Sequence, residues 1–209
     1  MEIVKQSIER LYPETQEQAD EGLRLLERAG RTCYKSEAKI TDDSAPKFAK
    51  MILVRQHDSV VEHLTASYKI ICDRALSHEI VRHRIGTSYS QESQRYINYN
   101  KRGLQFIDPV SAFTSMTEDQ LDIWFIAMTE AETNYNAMID GGCTPELARS
   151  VLPNSAKTEI VMTANLRAWR HFIDLRTSPK AHPQMREIAN MIFEDLNALW
   201  SCIFEDLAR

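Results

Sequence analysis

Arg82-His83-Arg84-Ile85-Gly86-Thr87-Ser88-Tyr89-Ser90-Gln91-Glu92-Ser93-Gln94-Arg95-Tyr96 holds three arginines, a histidine, three serines and a glutamate in fifteen residues. Little in it is apolar enough to bury. The segment just before it is apolar at helical spacing: Leu76, Ile80, His83 and Arg84 fall on one face by i, i+4, i+7, i+8. That spacing predicts a helix reaching Arg84, with His83 and Arg84 continuing the apolar stripe and pointing inward. The remainder, to Tyr96, reads as a loop. An inward guanidinium needs an anion, because an unpaired buried charge is expensive. A helix ending in Arg-His-Arg and running into a hydroxyl-rich loop suits an anionic ligand, since arginine forks match phosphate oxygens bidentately and hydroxyls add neutral donors. The alternative is a solvated polar loop.

Upstream of this stretch, residues 2–12 alternate weakly, as in an edge strand. Residues 15–29 read as a helix with Thr15 as N-cap, Gln18 three residues later, Leu23, Leu26 and Ala29 on one face, and Gly30 closing it. Arg31-Thr32-Cys33-Tyr34-Lys35-Ser36 reads as a polar turn. A second helix runs from Pro46 to Gln56, with Phe48, Met51 and Ile52 as its core face. From Leu64 the chain alternates as a half-buried strand through Ala66, Tyr68 and Ile70. Glu62-His63 at the start of that strand has the makings of a general base with an orienting carboxylate, against the plainer reading of a structural histidine.

Downstream, residues 97–116 look irregular. Residues 118–140 keep the helical period through Leu121, Trp124, Phe125, Met128, Ala131, Tyr135 and Met138, and Gly141-Gly142 ends the run. Thr144-Pro145 is a cap and first-turn pair for a short helix that carries Arg149. Lys157–Ala164 reads as a strand. After it, Trp169, Phe172, Ile173 and Arg176 share a helical face, which places Arg176 at the end of an apolar stripe and partly buried. Arg167 and His171 are i, i+4 neighbours on another face. A last helix from about His182 to Leu207 shows a long apolar stripe, read as core or a subunit contact.

The 209 residues suffice for one substantial core, and no linker stands out, so a single domain is expected over 1–209. The net charge of −5 argues against a general nucleic-acid surface and makes the arginines near 82–102 and 149–176 local concentrations, which suits a small anion better than a polymer. No run has the length and apolarity of a membrane span, and the first residues lack the shape of a signal peptide. Cys33, Cys72, Cys143 and Cys202 lie far apart without metal spacing, which points to reduced thiols in the cytoplasm. No GxSxG, GxGxxG, GxxxxGK[ST] or HExxH occurs, and no carboxylate cluster suggests a metal. The side chains thus offer cations, hydroxyls and amides, and hard chemistry on such a site needs a cofactor.

The 82–96 stretch resembles the signature of the flavin-dependent thymidylate synthases (the ThyX family), R-H-R-x-x-S-x-(N/S)-(E/Q)-x-S-x-R-Y. Three residues rather than two separate Arg84 from Ser88, so this loop is one residue longer than the pattern; from Ser88 to Tyr96 the spacing matches without a gap. The likeness extends to the Arg31–Tyr34 segment, Glu62-His63, the short helix before Leu152-Pro153, and Asn165-x-Arg167 followed by His171 and Leu175-Arg176. The resemblance implies an α+β fold, a twisted and mainly antiparallel sheet with several long helices. It implies conversion of dUMP to dTMP with methylenetetrahydrofolate and NADPH, through FAD, in a homotetramer whose sites draw on more than one subunit.

By the same resemblance Arg82, Gln91, Glu92, Ser93, Gln94, Arg95 and Arg149 would hold the nucleotide, with Glu79 beside them. His63, Thr65, Arg82, His83, Arg84, Asn165, Arg167 and His171 would contact flavin, and Arg176 would sit by the pyrimidine as the catalytic cation. Family members more often carry Asn where this chain has His171; both donate a hydrogen bond. Three other readings stand beside this one: a non-catalytic nucleotide-binding relative, a hydrolase using Ser93 or Ser88 with His83, and a nucleic-acid binder, against which the acidic balance weighs.

Overall fold

In a computed structural model, residues 1–110 and 116–208 are described. The elements in chain order are β1 (Glu2–Val4), β2 (Ser7–Tyr12), α1 (Gln16–Thr32), α2 (Ser44–Val54), α3 (Asp58–Val61), β3 (Thr65–Asp73), α4 (Arg74–Ile80), β4 (Thr87–Gln91), α5 (Tyr99–Arg102), β5 (Gln105–Ile107), α6 (Glu118–Asp140), α7 (Pro145–Ala148), β6 (Lys157–Asn165), α8 (Leu166–Arg176), α9 (Pro183–Leu199) and α10 (Ser201–Phe204). The fold is mixed helix and antiparallel sheet, as expected; within the four-stranded sheet the order is β2-β3-β6-β4. The exception is the β1–β5 pair, which is parallel, with Ile3 opposite Phe106.

The chain divides into two compact units. One comprises Met1–Ser7, Ile70–Arg82 and Ser90–Ile160; the other comprises Ile8–Lys69, His83–Tyr89 and Val161–Arg209. In the first, Phe106, Met128, Tyr135, Ala148 and Ala156 form a core against which Trp124 and Val151 pack. In the second, Leu23 and Leu26 of α1, Phe48 and Ile52 of α2, Trp169, Phe172 and Ile173 of α8, and Ile188, Ile192 and Leu196 of α9 are buried. Burying each such large side chain contributes roughly 1.5–3 kcal/mol.

Several boundaries follow their local signals. Thr15 caps α1 by accepting from the Gln18 amide, and Thr117 forms a capping box with Gln120 at the start of α6. Gly141 caps α6 where the paired glycines end the period. Other boundaries differ from expectation. Gly30 lies inside α1 rather than after it. A Cβ there would come 2.6 Å from the Phe48 ring, so its role is close packing of α1 on α2. Helix α4 ends at Ile80 with Val81 as its C-cap, short of His83 and Arg84, and Ile85 beyond them is 91% exposed and offers nothing to extend the stripe.

The expected loop after Gly86 contains a strand, β4. The irregular stretch 97–116 contains α5 and β5, and its residues 111–115 lie outside those described. The last helix is not continuous. It breaks at Trp200, whose indole N–H donates to the Ala19 carbonyl at 2.9 Å, a tertiary bond that the helical path does not supply.

Candidate active site

In the second unit the site is built on the start of β4 and on α8. Arg176 is the last residue of α8 and half-buried, as the stripe through Trp169, Phe172 and Ile173 requires. Its Nε donates to His83 Nε2 at 3.0 Å. Phe172 meets the imidazole edge-on with ring centres 4.9 Å apart, and the His171 ring lies 6.0 Å away. Burial, then the Arg176 charge, then His171 hold His83 down at about 4. The imidazole is therefore neutral near pH 7, with Nε2 accepting from Arg176 and the proton on Nδ1. Arg84, expected to point inward, is exposed, and among the described residues its side chain has no partner.

The backbone around His83 is tied down. Its carbonyl accepts from Thr87 Oγ1 at 2.6 Å and from the Tyr89 hydroxyl at 2.5 Å. Gly86 has φ +71, and its carbonyl accepts from the Asn165 amide at 3.0 Å. A Cβ on Gly86 would fall 2.5 Å from Asn165 Nδ2, so only glycine fits this close, left-handed turn. Asn165 in turn caps α8, its Oδ1 accepting from the Ala168 amide at 2.8 Å.

His63, between α3 and β3, and Thr65, which opens β3, are both exposed, as are Arg167 and His171. Arg167 pairs with Glu62 at 2.6 Å and with Asp58 at 3.7 Å. With Arg170, His171 and Asp174 it lines a hollow of about 320 Å³. The expected polar turn is present at 33–35, but it begins two residues later than Arg31, since Arg31 and Thr32 belong to α1. Arg31 remains in α1, held by Glu27 and lying over the Phe48 ring, and with Tyr34, Ser36, Lys39 and Arg55 it walls a hollow of about 620 Å³.

The first unit carries the other predicted residues. Arg82 is exposed and Arg149, in a 3-10 turn after α7, is half-buried; among the described residues neither side chain has a partner. Arg95 pairs with Glu146 at 2.8 Å. Gln94 and Glu79 are half-buried, and the Ser93 hydroxyl accepts from the Arg95 amide. Gln91 and Glu92 are engaged by protein groups. Gln91 Nε2 donates to Ser77 at 2.8 Å, while Glu92 accepts from the Tyr99 hydroxyl at 2.8 Å and from the Glu159 amide at 3.2 Å. Lys157 faces Glu92 at 3.5 Å and also contacts Glu159. Gln91 and Glu92 are thus each tied to protein groups of the same unit.

A family model described as "Thymidylate synthase complementing protein" matches residues 15–200. A flavin-dependent thymidylate synthase from Geobacter sulfurreducens is 36% identical over 185 residues, covering 85% of this chain and 78% of that protein. Another from Mycolicibacterium gilvum is 37% identical over 207 residues, covering 90% and 80%. The chain belongs to the flavin-dependent thymidylate synthase family. Among solved structures, the UMP/dUMP methylase PolB from Streptomyces cacaoi, bound with 5-Br dUMP, shares the fold at TM-score 0.81 and 21% identity, with 98% of this chain and 96% of that one covered. Helicobacter pylori ThyX with FAD and dUMP gives TM-score 0.76 at 22% identity, with 97% and 98% covered.

Within this thymidylate synthase-family chain, the residues expected on nucleotide and those expected on flavin fall largely into different units. Glu79, Arg82, Gln91–Arg95 and Arg149 lie in the first. His63, Thr65, His83, Arg84, Asn165, Arg167, His171 and Arg176 lie in the second. Sequence reasoning missed the hydroxyls of Thr87 and Tyr89 on the His83 carbonyl. Their signal was a two-residue alternation, Thr87, Tyr89, Gln91, carried by polar side chains.

Proposed function

We propose that this chain is a flavin-dependent thymidylate synthase. It converts dUMP to dTMP, takes a methylene group from methylenetetrahydrofolate, and draws reducing equivalents from NADPH through FAD; tetrahydrofolate and NADP+ are the other products. The observation that carries the reading is the family match across residues 15–200. The side chains fit an anionic dinucleotide: Arg84 is an exposed guanidinium with no protein partner among the described residues, and exposed His63 and Thr65 stand at a strand start in the same unit. Bound FAD supplies the two-electron chemistry that no side chain here can perform.

On this reading Arg82, Ser93, Gln94, Arg95 and Arg149 bind the nucleotide, chiefly its phosphate, with Glu79 beside them, and Gln91 and Glu92 hold that stretch in place. His63, Thr65, Arg82, His83, Arg84, Asn165, Arg167 and His171 bind flavin. Arg176, oriented through Nε by neutral His83, stabilises negative charge developing at N3 and O4 of the pyrimidine and so activates C5 toward the electrophile. The chain acts as one catalytic domain in a cytoplasmic homotetramer, with no nucleic-acid or membrane partner. Among the described residues no helix is long and apolar enough to cross a membrane.

The test is the visible spectrum of the purified protein after FAD is added and the excess removed. The expected result is a retained flavin spectrum that NADPH bleaches, faster with dUMP present, followed by tritium release from 5-tritiated dUMP. A protein that retains no flavin, or whose flavin stays oxidised with NADPH and dUMP, would overturn the reading.

A further inference from the structure

We propose that Thr87 and Tyr89 are positioning residues for the Arg176–His83 pair, acting through the backbone carbonyl of His83. The inference rests on the reading of Arg176 and His83 given above. Both hydroxyls come from one face of β4, whose alternate residues Ser88 and Ser90 face solvent. The strand is anchored in the sheet beside β6. Between His83 and this anchor stand only Arg84, Ile85 and Gly86, all exposed, so packing does not hold the segment. What holds it is hydrogen bonding: two hydroxyls on the His83 carbonyl at 2.6 and 2.5 Å, and the Asn165 amide on the Gly86 carbonyl at 3.0 Å.

The distances make the consequence specific. Arg176 Nε reaches the His83 lone pair at 3.0 Å, within the ordinary range for a nitrogen donor. Phe172 fixes the ring from one side, but the Cα from which the ring departs is set by the clamped peptide. Releasing the carbonyl lets that Cα drift, and a misplacement of about 1 Å costs a catalytic constellation up to roughly a hundredfold. Burial raises the Tyr89 phenol above its ordinary value, so it remains a donor across the working pH range. The lengthened stretch between Arg84 and Ser88 includes Thr87, which supplies one of the two hydroxyls.

The test uses Thr87→Val, Tyr89→Phe and the double variant, each loaded with FAD and labelled with 15N-histidine. The charged and titratable groups facing His83 among the described residues are Arg176 and His171 on α8 and the Tyr89 phenol of β4 on its carbonyl. In the unaltered protein the His83 resonances should report the Nδ1–H tautomer with no protonation above about pH 5. In the double variant the ring should titrate about one unit or more nearer the ordinary value. Its kcat should fall on the order of tenfold with the KM for dUMP nearly unchanged. Thr87→Ser combined with Tyr89→Phe, which returns one hydroxyl to the carbonyl, should recover part of both. A folded double variant with the original tautomer, titration and kcat would overturn the proposal. Should the unaltered protein fail to turn over dUMP, the functional reading falls, while the His83 resonances, read on the protein as purified, still decide the clamp.

Discussion

Arg176 helps to set the charge of His83, and His83 sets the direction of Arg176. The guanidinium favours a neutral imidazole, and the imidazole lone pair fixes the plane of the guanidinium. Arg176→Lys keeps the charge but loses the fork and the Nε donor, so turnover should fall on the order of tenfold or more. Steady-state kinetics at saturating dUMP check this, and an unchanged kcat would remove the role assigned to the fork. The same pair predicts a pH dependence of stability. His83 titrates at about 4 in the fold against an ordinary 6.5. As pH falls through that window the unfolded chain binds the proton first, so this contribution to stability is complete above about 6.5 and declines toward 4. Urea midpoints at pH 7 and pH 5 should drop more steeply for the natural chain than for His83→Asn. Equal slopes would mean that His83 is not held neutral by its surroundings.

At the level of elements, Gly30 shows which of two opposed effects wins. In an exposed helix interior Gly→Ala gains roughly 0.5–1 kcal/mol from backbone entropy. Inside α1 the new methyl would press on buried Phe48 at 2.6 Å, and overpacking of this kind costs about 1–3 kcal/mol. Gly30→Ala should therefore lower the melting temperature by several degrees, read by calorimetry; a rise would show that α2 yields freely. Elements were legible in the sequence wherever the buried face is apolar. The period of Met128 and Tyr135 marked α6, and Trp169, Phe172 and Ile173 marked α8 and with it the half-burial of Arg176. β4 was illegible because its inward face, Thr87, Tyr89 and Gln91, is polar and leaves no hydropathy alternation. The break at Trp200 was illegible because the apolar stripe continues across it, and the bond that ends the helix comes from Ala19, far away in sequence. The arginines of the site could be named from sequence, but their pairing could not: nothing local says that Arg95 meets Glu146 while Arg149 has no partner among the described residues.

For the whole molecule, the proposed assembly carries a prediction of its own. If each site draws on more than one copy of the 24.1 kDa chain, specific activity must depend on concentration. Serial dilution should show constant activity per chain down to the association range and a fall below it, in step with loss of the tetramer mass by sedimentation. Activity that stays constant while the mass drops to that of one chain would remove the shared site. The division into units has a further consequence, at the level of heredity. Each unit is assembled from three separate stretches, and β3 and β6 each run from one into the other. A single crossover in the gene cannot exchange one unit for a relative's counterpart without splicing a strand in mid-course. Exchanging either unit whole would take several crossovers at once, so a hybrid with one unit from each of two relatives is not reached in a single step.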